Sequence, residues 1–386
     1  MSGWWIPLMM VLVRGGWAAA EEDVFPTPSD DRWHYPFNFT PGARPFASCF
    51  SSVGNITFPL FNDRDGMFLI VWNTAEQIES GRCPRTYGVE AVTVIVTSVA
   101  EATWPIDLST DEWYTFDFNN DGAINRDGIP RGQIGDMDGE SRDADPGRPL
   151  ELFGVGFGAN SSAEHWTESS PYYGGRDTMN APRDPFPFVF QDVTFAQLHV
   201  EDNVKGTQNE KLAKPVFQFT PGTWAIGVPT GYLPGRQLNP FQVVYSIDLS
   251  LSEGAVGKYF QQQLDGGRVF VYVTSLQETV IFGNDPAALP TFFTKEGVDF
   301  DPLAMAPQLI IRHHREASGD ADGDCRSTLD DWGALLHCSS GPDSTPSPTL
   351  PWTVARCRES FDFDRDLDVD LRDVSLMLEV FQSSGS

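Results

Sequence analysis

The chain has 386 residues, 40% of them hydrophobic, which is enough for one large or two ordinary domains with a packed core and excludes disorder throughout. Its 54 acidic residues against 26 basic ones give a net charge of −28, which argues against nucleic acid or an anionic membrane as partner. Abundant Phe (28), Trp (11), Gly (35) and Pro (29) suit turn-rich β structure better than long helices.

At the N-terminus an apolar stretch from Trp4 to Val13, too short to span a bilayer, is followed by Ala18-Ala19-Ala20 and then Glu21-Glu22-Asp23. This order predicts a signal peptide over residues 1–20, cut after Ala20, and hence a secreted, extracellular protein. No other stretch approaches ~20 apolar residues, so no membrane span is expected in the mature chain. Five cysteines fit an oxidising compartment. Cys49 and Cys83 are candidates to pair, as are Cys338 and Cys357, which would leave Cys325 over. Closing the loop of about 20 residues between Cys338 and Cys357 would contribute on the order of 3 kcal/mol.

Residues 21–55 are rich in Pro, Asp and aromatics without clear periodicity and are expected to form an extended lead-in. Residues 56–316 have β texture. Strands are predicted at Met67–Trp72, Val89–Val99, Leu150–Val155, Phe195–Val200, Thr223–Gly227, Gln242–Leu249, Arg268–Thr274 and Gln308–Arg312, separated by Gly, Pro and Asn turns. Between Val92 and Thr97 the alternation puts Val92, Val94 and Val96 on one face and Thr93, Ile95 and Thr97 on the other. The expected fold class is mainly β, an antiparallel sandwich of jelly-roll type. A single helix, Ser252 to Leu264, interrupts it. Its apolar face is Val256, Tyr259, Phe260 and Leu264, with Ser252 as N-cap and Gly266-Gly267 at its end. The run of strand, short helix and strand over residues 242–274 resembles the closing half of jelly-roll modules attached to secreted bacterial polysaccharide-associated proteins.

The acidic insertion 107–145 holds the loop Asp117-Phe-Asn119-Asn-Asp121-Gly122-Ala-Ile124-Asn125. Its oxygens fall where a calcium loop needs them through position 9, with Gly122 at position 6. Position 12 is Gly128 and Ile129-Pro130 follows, so the closing carboxylate and the exiting helix are both missing. Two readings stand. Asp136 or Asp138 closes the shell and Asp117, Asn119, Asp121 and Asn125 hold a calcium ion, or the segment is a turn that binds nothing.

The C-terminal region, 317–386, carries two further acidic loops. The first holds Asp320, Asp322, Asp324, Arg326, Thr328 and Asp331 at loop positions 1, 3, 5, 7, 9 and 12, and the second holds Asp362, Asp364, Asp366, Asp368, Asp370 and Asp373. This is the order in which a 12-residue turn wraps a calcium ion, with position 7 lending its backbone carbonyl. An apolar helical stripe follows each loop: Trp332, Leu335 and Leu336 after the first, and Val374, Met377, Leu378 and Phe381 after the second. An acidic tail held in solution would not show those stripes. Position 6, where Gly supplies a positive φ, holds Cys325 and Leu367, and position 8 of the first loop holds Ser327. The Ser- and Pro-rich stretch 339–348 reads as a linker between the loops.

Paired calcium loops with a helix after each, at the C-terminal end of an exported chain, resemble a dockerin domain over Asp320–Gln382. The resemblance implies a calcium-folded module, with Ca2+ as the cofactor, that docks onto a cohesin-like protein and accompanies proteins of polysaccharide catabolism. Positions 10 and 11, where dockerins commonly carry a hydroxyl pair that contacts cohesin, are here Leu329-Asp330 and Leu371-Arg372. The family's partner recognition therefore does not carry over.

No Gly-x-Ser-x-Gly elbow or His-Glu-x-x-His pair occurs, and no histidine spacing suits a metal. Gly154-Val-Gly156-Phe-Gly158 is expected to be a tight strand exit and not a dinucleotide loop. Trp166, Tyr172 and Tyr173 are read as packed aromatics before sugar-stacking ones. The expected function is calcium-dependent docking joined to a β domain that binds carbohydrate or another extracellular surface. The alternative is a glycoside hydrolase tethered by its dockerin, for which no acid/base pair can be nominated.

Overall fold

A computed structural model describes residues 20–35, 43–50, 64, 66–99, 106–108, 148–171, 184–194, 197–204, 214–215, 223–231, 241–275, 277, 289–301 and 304–383. The 117–128 loop with Asp136 and Asp138, nearly all of the expected signal peptide, and Tyr172 and Tyr173 lie outside the described residues. The chain divides into two compact units. The first is formed by Glu22–Pro84 and Val89–Arg312, and the second contains Arg85–Gly88 and His313–Ser386.

In chain order the strands are β1 (Glu21–Phe25), β2 (Asp30–His34), β3 (Phe46–Ser48), β4 (Met67–Asn73), β5 (Tyr87–Thr97), β6 (Ile106–Asp107), β7 (Arg148–Gly154), β8 (Phe188–Thr194), β9 (Gln197–Asp202), β10 (Lys214–Pro215), β11 (Ala225–Ile226), β12 (Val228–Pro229), β13 (Gln242–Ser246), β14 (Arg268–Ser275), β15 (Thr291–Phe293) and β16 (Gln308–Arg315). The helices are α1 (Ala255–Asp265), α2 (Leu329–Cys338), α3 (Val354–Phe361) and α4 (Leu371–Ser383). The protein is thus mainly β, built on antiparallel sheets, as its composition and alternation predict. One sheet runs β1-β16-β5-β13-β12 and another β11-β7-β14-β4-β2, with a short parallel pairing of β6 to β7.

Burial explains how the strands read. In β4 the six residues Met67 to Trp72 are each 1% exposed or less, so the strand is covered on both faces and its sequence is a continuous apolar run. Met67, Leu69 and Val71 pack with Phe270 and Tyr272 of β14 and with Phe153, Trp166 and Phe186 in one cluster. Trp166 is therefore a core residue, as expected. In β5 the predicted alternation holds as far as Val96: buried Val94 and Val96 stand opposite buried Tyr245 and Val243, while Thr93 and Ile95 are half-buried; Thr97, expected on the face of Thr93 and Ile95, is buried at 3% exposure.

Residues 21–55 do more than precede the domain, since they supply β1, β2 and β3. The sequence concealed β2 because Asp31, Arg32 and His34, all polar, are buried in it. Of the expected strand Phe195–Val200, residues 197–200 fall in β9, which pairs antiparallel with β8. The core also holds a bidentate ion pair, with Arg64 Nε 2.6 Å from Glu151 Oε2 and Arg64 Nη2 2.7 Å from Oε1.

Helix α1 buries the four predicted residues Val256, Tyr259, Phe260 and Leu264. Its start differs from expectation. Ser252, Glu253 and Gly254 all have positive φ, so the chain turns left-handed there and Gly254, not Ser252, occupies the N-cap position. The strand exit at 154–158 needs its glycines for close packing. A Cβ on Gly154 would lie 2.0 Å from the Trp224 ring, and one on Gly156 would lie 2.3 Å from the Asn203 carbonyl oxygen.

The second unit has a small core of Ala321, Ala334, Leu335, Cys338, Cys357, Phe361, Val369 and Met377, with Trp332, Trp352, Phe363 and Val374 packed on it. A core of this size supplies little stability alone, and the Cys338–Cys357 disulfide crosses it. The remaining cysteine expectations require correction. Cys49 is a free, fully buried thiol and does not pair with Cys83; Cys83 is disulfide-bonded without it, and Cys325 is disulfide-bonded and not left over.

Candidate metal centres

The two C-terminal loops have different side chains at seven of their twelve positions, yet they fold on one hydrogen-bond plan. In the first, the position-12 carboxylate of Asp331 accepts from the backbone N–H of Ala321 (2.7 Å), Asp322 (3.4 Å) and Thr328 (2.7 Å). In the second, Asp373 accepts from Phe363 (2.7 Å), Asp364 (3.3 Å) and Asp370 (2.8 Å), the same loop positions 2, 3 and 9. Both carboxylates are buried, at 1% and 0% exposure. Position 1 repeats as well. Asp320 Oδ2 accepts from Cys325 N–H at 2.8 Å and Asp362 Oδ2 from Leu367 N–H at 3.1 Å, so each takes the donor of position 6. At position 5, Asp324 and Asp366 each accept from the N–H of position 7, Arg326 and Asp368.

This plan folds the chain inward. Position 6 has φ of 65° at Cys325 and 76° at Leu367, so the loops take the left-handed turn that glycine normally supplies and take it with side chains present. Position 9 opens the helix after each loop. Thr328 caps α2 in a capping box with Asp331, and Asp370 Oδ1 accepts from Arg372 N–H at 2.7 Å at the start of α4.

Three carboxylates of each ligand set converge, at positions 1, 3 and 5 in the first loop and 1, 3 and 12 in the second. One oxygen from each of Asp320, Asp322 and Asp324 lies within 4.8 Å of the others, as does one from each of Asp362, Asp364 and Asp373. In the second loop Asp364 Oδ1 and Asp368 Oδ1 are buried and, among the described residues, accept no hydrogen bond, while the Asp362 carboxyl faces the backbone N–H groups of Leu367 and Arg365. Burial raises the Asp362 carboxyl above the ordinary range, and the charges of Asp366 and Asp364 add to this. Burial also pushes Asp373 up to about 6, against its three backbone donors. Buried oxygens without donors, on an all-oxygen set with positions 1, 3, 5, 9 and 12 filled, fit a hard cation such as Ca2+.

Several neighbours were not evident in the sequence. Arg85 Nη2 stands 3.8 Å from Asp320 Oδ2, and Arg372 Nη1 stands 3.3 Å from Asp364 Oδ2. Asp368 at position 7 uses Oδ2 to accept from Asp343 N–H, pinning the linker to the second loop. Val369 at position 8 is buried and its carbonyl accepts from Ser340 N–H at 2.9 Å, whereas Ser327 Oγ in the first loop donates to Ser318 O at 3.1 Å. Helix α3, which the sequence does not signal, runs directly into Asp362, so the second loop has a helix on both sides. Its buried face is only Cys357, Ser360 and Phe361, too short a pattern to register as a helical period.

The predicted stripes hold in part. Leu335 and Met377 are buried, but Leu336 is 67% and Leu378 44% exposed. The stripe after the first loop buries Ala334 in place of Leu336, because α2 turns its Ala334, Leu335 and Cys338 edge to the core. No family model, curated protein or solved structure matches the chain.

Proposed function

We propose that this is an exported protein whose C-terminal loops each bind a calcium ion, and whose calcium-folded helices dock it onto a protein partner of cohesin-like type. The observation that carries the metal reading is the shared hydrogen-bond plan of the two loops, together with the buried oxygen of Asp364 that accepts no hydrogen bond among the described residues. In the first loop Asp320, Asp322, Asp324, Thr328, Asp331 and the Arg326 carbonyl would hold the ion, and in the second Asp362, Asp364, Asp366, Asp370, Asp373 and the Asp368 carbonyl. When bound, the ion neutralises carboxylates that repel one another.

Docking is supported by exposed leucines that repeat with the loops. Leu329 (77% exposed) and Leu371 (82%) open α2 and α4 at loop position 10, and Leu336 and Leu378 follow seven residues later on each helix. Four apolar side chains left in solvent at equivalent places suit a partner surface better than chance scatter. For the β unit the proposal is carbohydrate or another extracellular surface. The supporting feature is a hollow of about 350 Å³ lined by polar Asn160, Ser161, His165 and Ser170 together with Trp166 and Pro171.

The test is calcium-dependent capture from the producing organism's secreted proteins with the full chain immobilised. One partner should be retained in calcium, released by chelator, and lost with Leu329→Asp plus Leu371→Asp. Retention of the same proteins by that variant, or in chelator, would refute docking through these helices.

A further inference from the structure

Away from the acidic loops, three carboxylates from distant parts of the chain meet inside the first unit. Asp31 comes from β2, Glu168 from the segment after β7, and Glu296 from the 3-10 turn Lys295–Gly297. One oxygen of each lies within 4.8 Å of the other two. Converging negative charge in a place shielded from water costs stability unless something compensates it.

The compensation visible among the described residues is incomplete. Lys295 Nζ donates to Glu168 Oε1 and to the Ser29 carbonyl, and it lies 3.7 Å from Glu296 Oε1. Asp31 Oδ2 accepts from Lys295 N–H at 2.7 Å, and Glu168 Oε1 also accepts from Asp31 N–H at 2.9 Å. The nearby Arg32 guanidinium donates to the backbone oxygens of Glu168 and Ser170. Within the cluster, one ammonium therefore faces three carboxylates. Asp31 is 1% exposed, and its Oδ1 is buried without a hydrogen-bond partner; Glu296 Oε2 is buried in the same condition. A carboxylate so deeply buried, with one oxygen left unpartnered and two other carboxylates beside it, is a donor in search of a cation or a proton.

The geometry points to a divalent cation site formed by Asp31, Glu168 and Glu296. With only oxygen donors, it would take a hard cation of the calcium or magnesium class. Two net negative charges remain after Lys295 is counted, which one such ion neutralises. Its oxygens on β2, on the 148–171 segment and on the turn would tie three segments of the β unit together. This site shares no residue with the C-terminal loops and does not depend on calcium binding there.

The rival is a proton shared between Asp31 Oδ1 and Glu296 Oε2. Calorimetric titration of the full chain with CaCl2, and separately with MnCl2, at pH 7.5 separates the two. The expected result is that Asp31→Asn and Glu296→Gln each bind one metal equivalent fewer than the parent chain, or bind it at least tenfold more weakly. Asp320→Ala plus Asp362→Ala should leave that equivalent in place. Unchanged stoichiometry and affinity in both single variants would overturn the site. The Glu296 side chain is 29% exposed, so Glu296→Gln suffices to decide between metal and proton if Asp31→Asn does not fold.

Discussion

Removing the Asp331 carboxylate tests the claim that position 12 organises its loop even without metal. Asp331→Ala deletes the acceptor for three backbone N–H groups and half of the capping box on α2. Losing the box costs about 1 kcal/mol. The Ala321 N–H, in a residue 3% exposed, is left without its 2.7 Å partner, at about 1–3 kcal/mol. Relief of repulsion with Asp320 and Asp322 offsets part of this, so the net loss is about 2–3 kcal/mol. In chelator, hydrogen exchange followed by mass spectrometry should show the α2 amides exchanging roughly 30- to 150-fold faster, at 1.36 kcal/mol per decade. Asp330→Ala, at the exposed neighbour, should leave them within about threefold of the parent. If Asp331→Ala matches Asp330→Ala, the carboxylate does not hold the loop.

Leu367→Gly should slow exchange in α4 by about two- to fivefold in chelator: relief of a 76° φ is worth about 1–2 kcal/mol, less about 0.5–1 for glycine's freedom in the unfolded chain. Faster exchange would mean the half-exposed Leu367 side chain matters more than its backbone. Glu151→Ala should lower the stability of the β unit by about 3–5 kcal/mol, since it strands a buried Arg64, while Arg64→Met with Glu151→Leu should recover most of it; thermal unfolding reads both. His34 is buried and burial lowers its pKa well below the ordinary value, so the folded state resists protonation that the unfolded chain accepts. Its contribution is therefore present above about pH 6.5 and is lost on acidification at up to about 1.4 kcal/mol per pH unit. The unfolding free energy of the parent relative to His34→Gln should fall between pH 7 and 5, and a flat difference would refute the assignment.

Much of this was legible in the residues because it rests on period and spacing. Met67–Trp72, the Val92/Val94/Val96 face and the four buried residues of α1 follow from patterns that burial imposes directly. The acidic loops were legible for the same reason, since each ligand position is fixed by count from the first Asp. What stayed hidden depends on contacts between distant residues. β2 carries buried Asp31, Arg32 and His34, whose partners lie more than a hundred positions away, so its sequence imitates a polar loop. The oxidised state of Cys325 and the free thiol of Cys49 could not be read from spacing. Leu336 and Leu378 fit a helical stripe equally well whether they face the core or the solvent, and only packing decides.

Calcium binding by the paired loops is tested most directly by calorimetric titration of the full-length chain, stripped of metal, with CaCl2 against the variant Asp320→Ala plus Asp362→Ala. The parent should bind two more equivalents than the variant, and the second loop, with five ligand carboxylates against four in the first, should fill first. Identical calcium heats for parent and variant, with α2 and α4 amides exchanging at the same rate in calcium and in chelator, would show that the loops hold no ion.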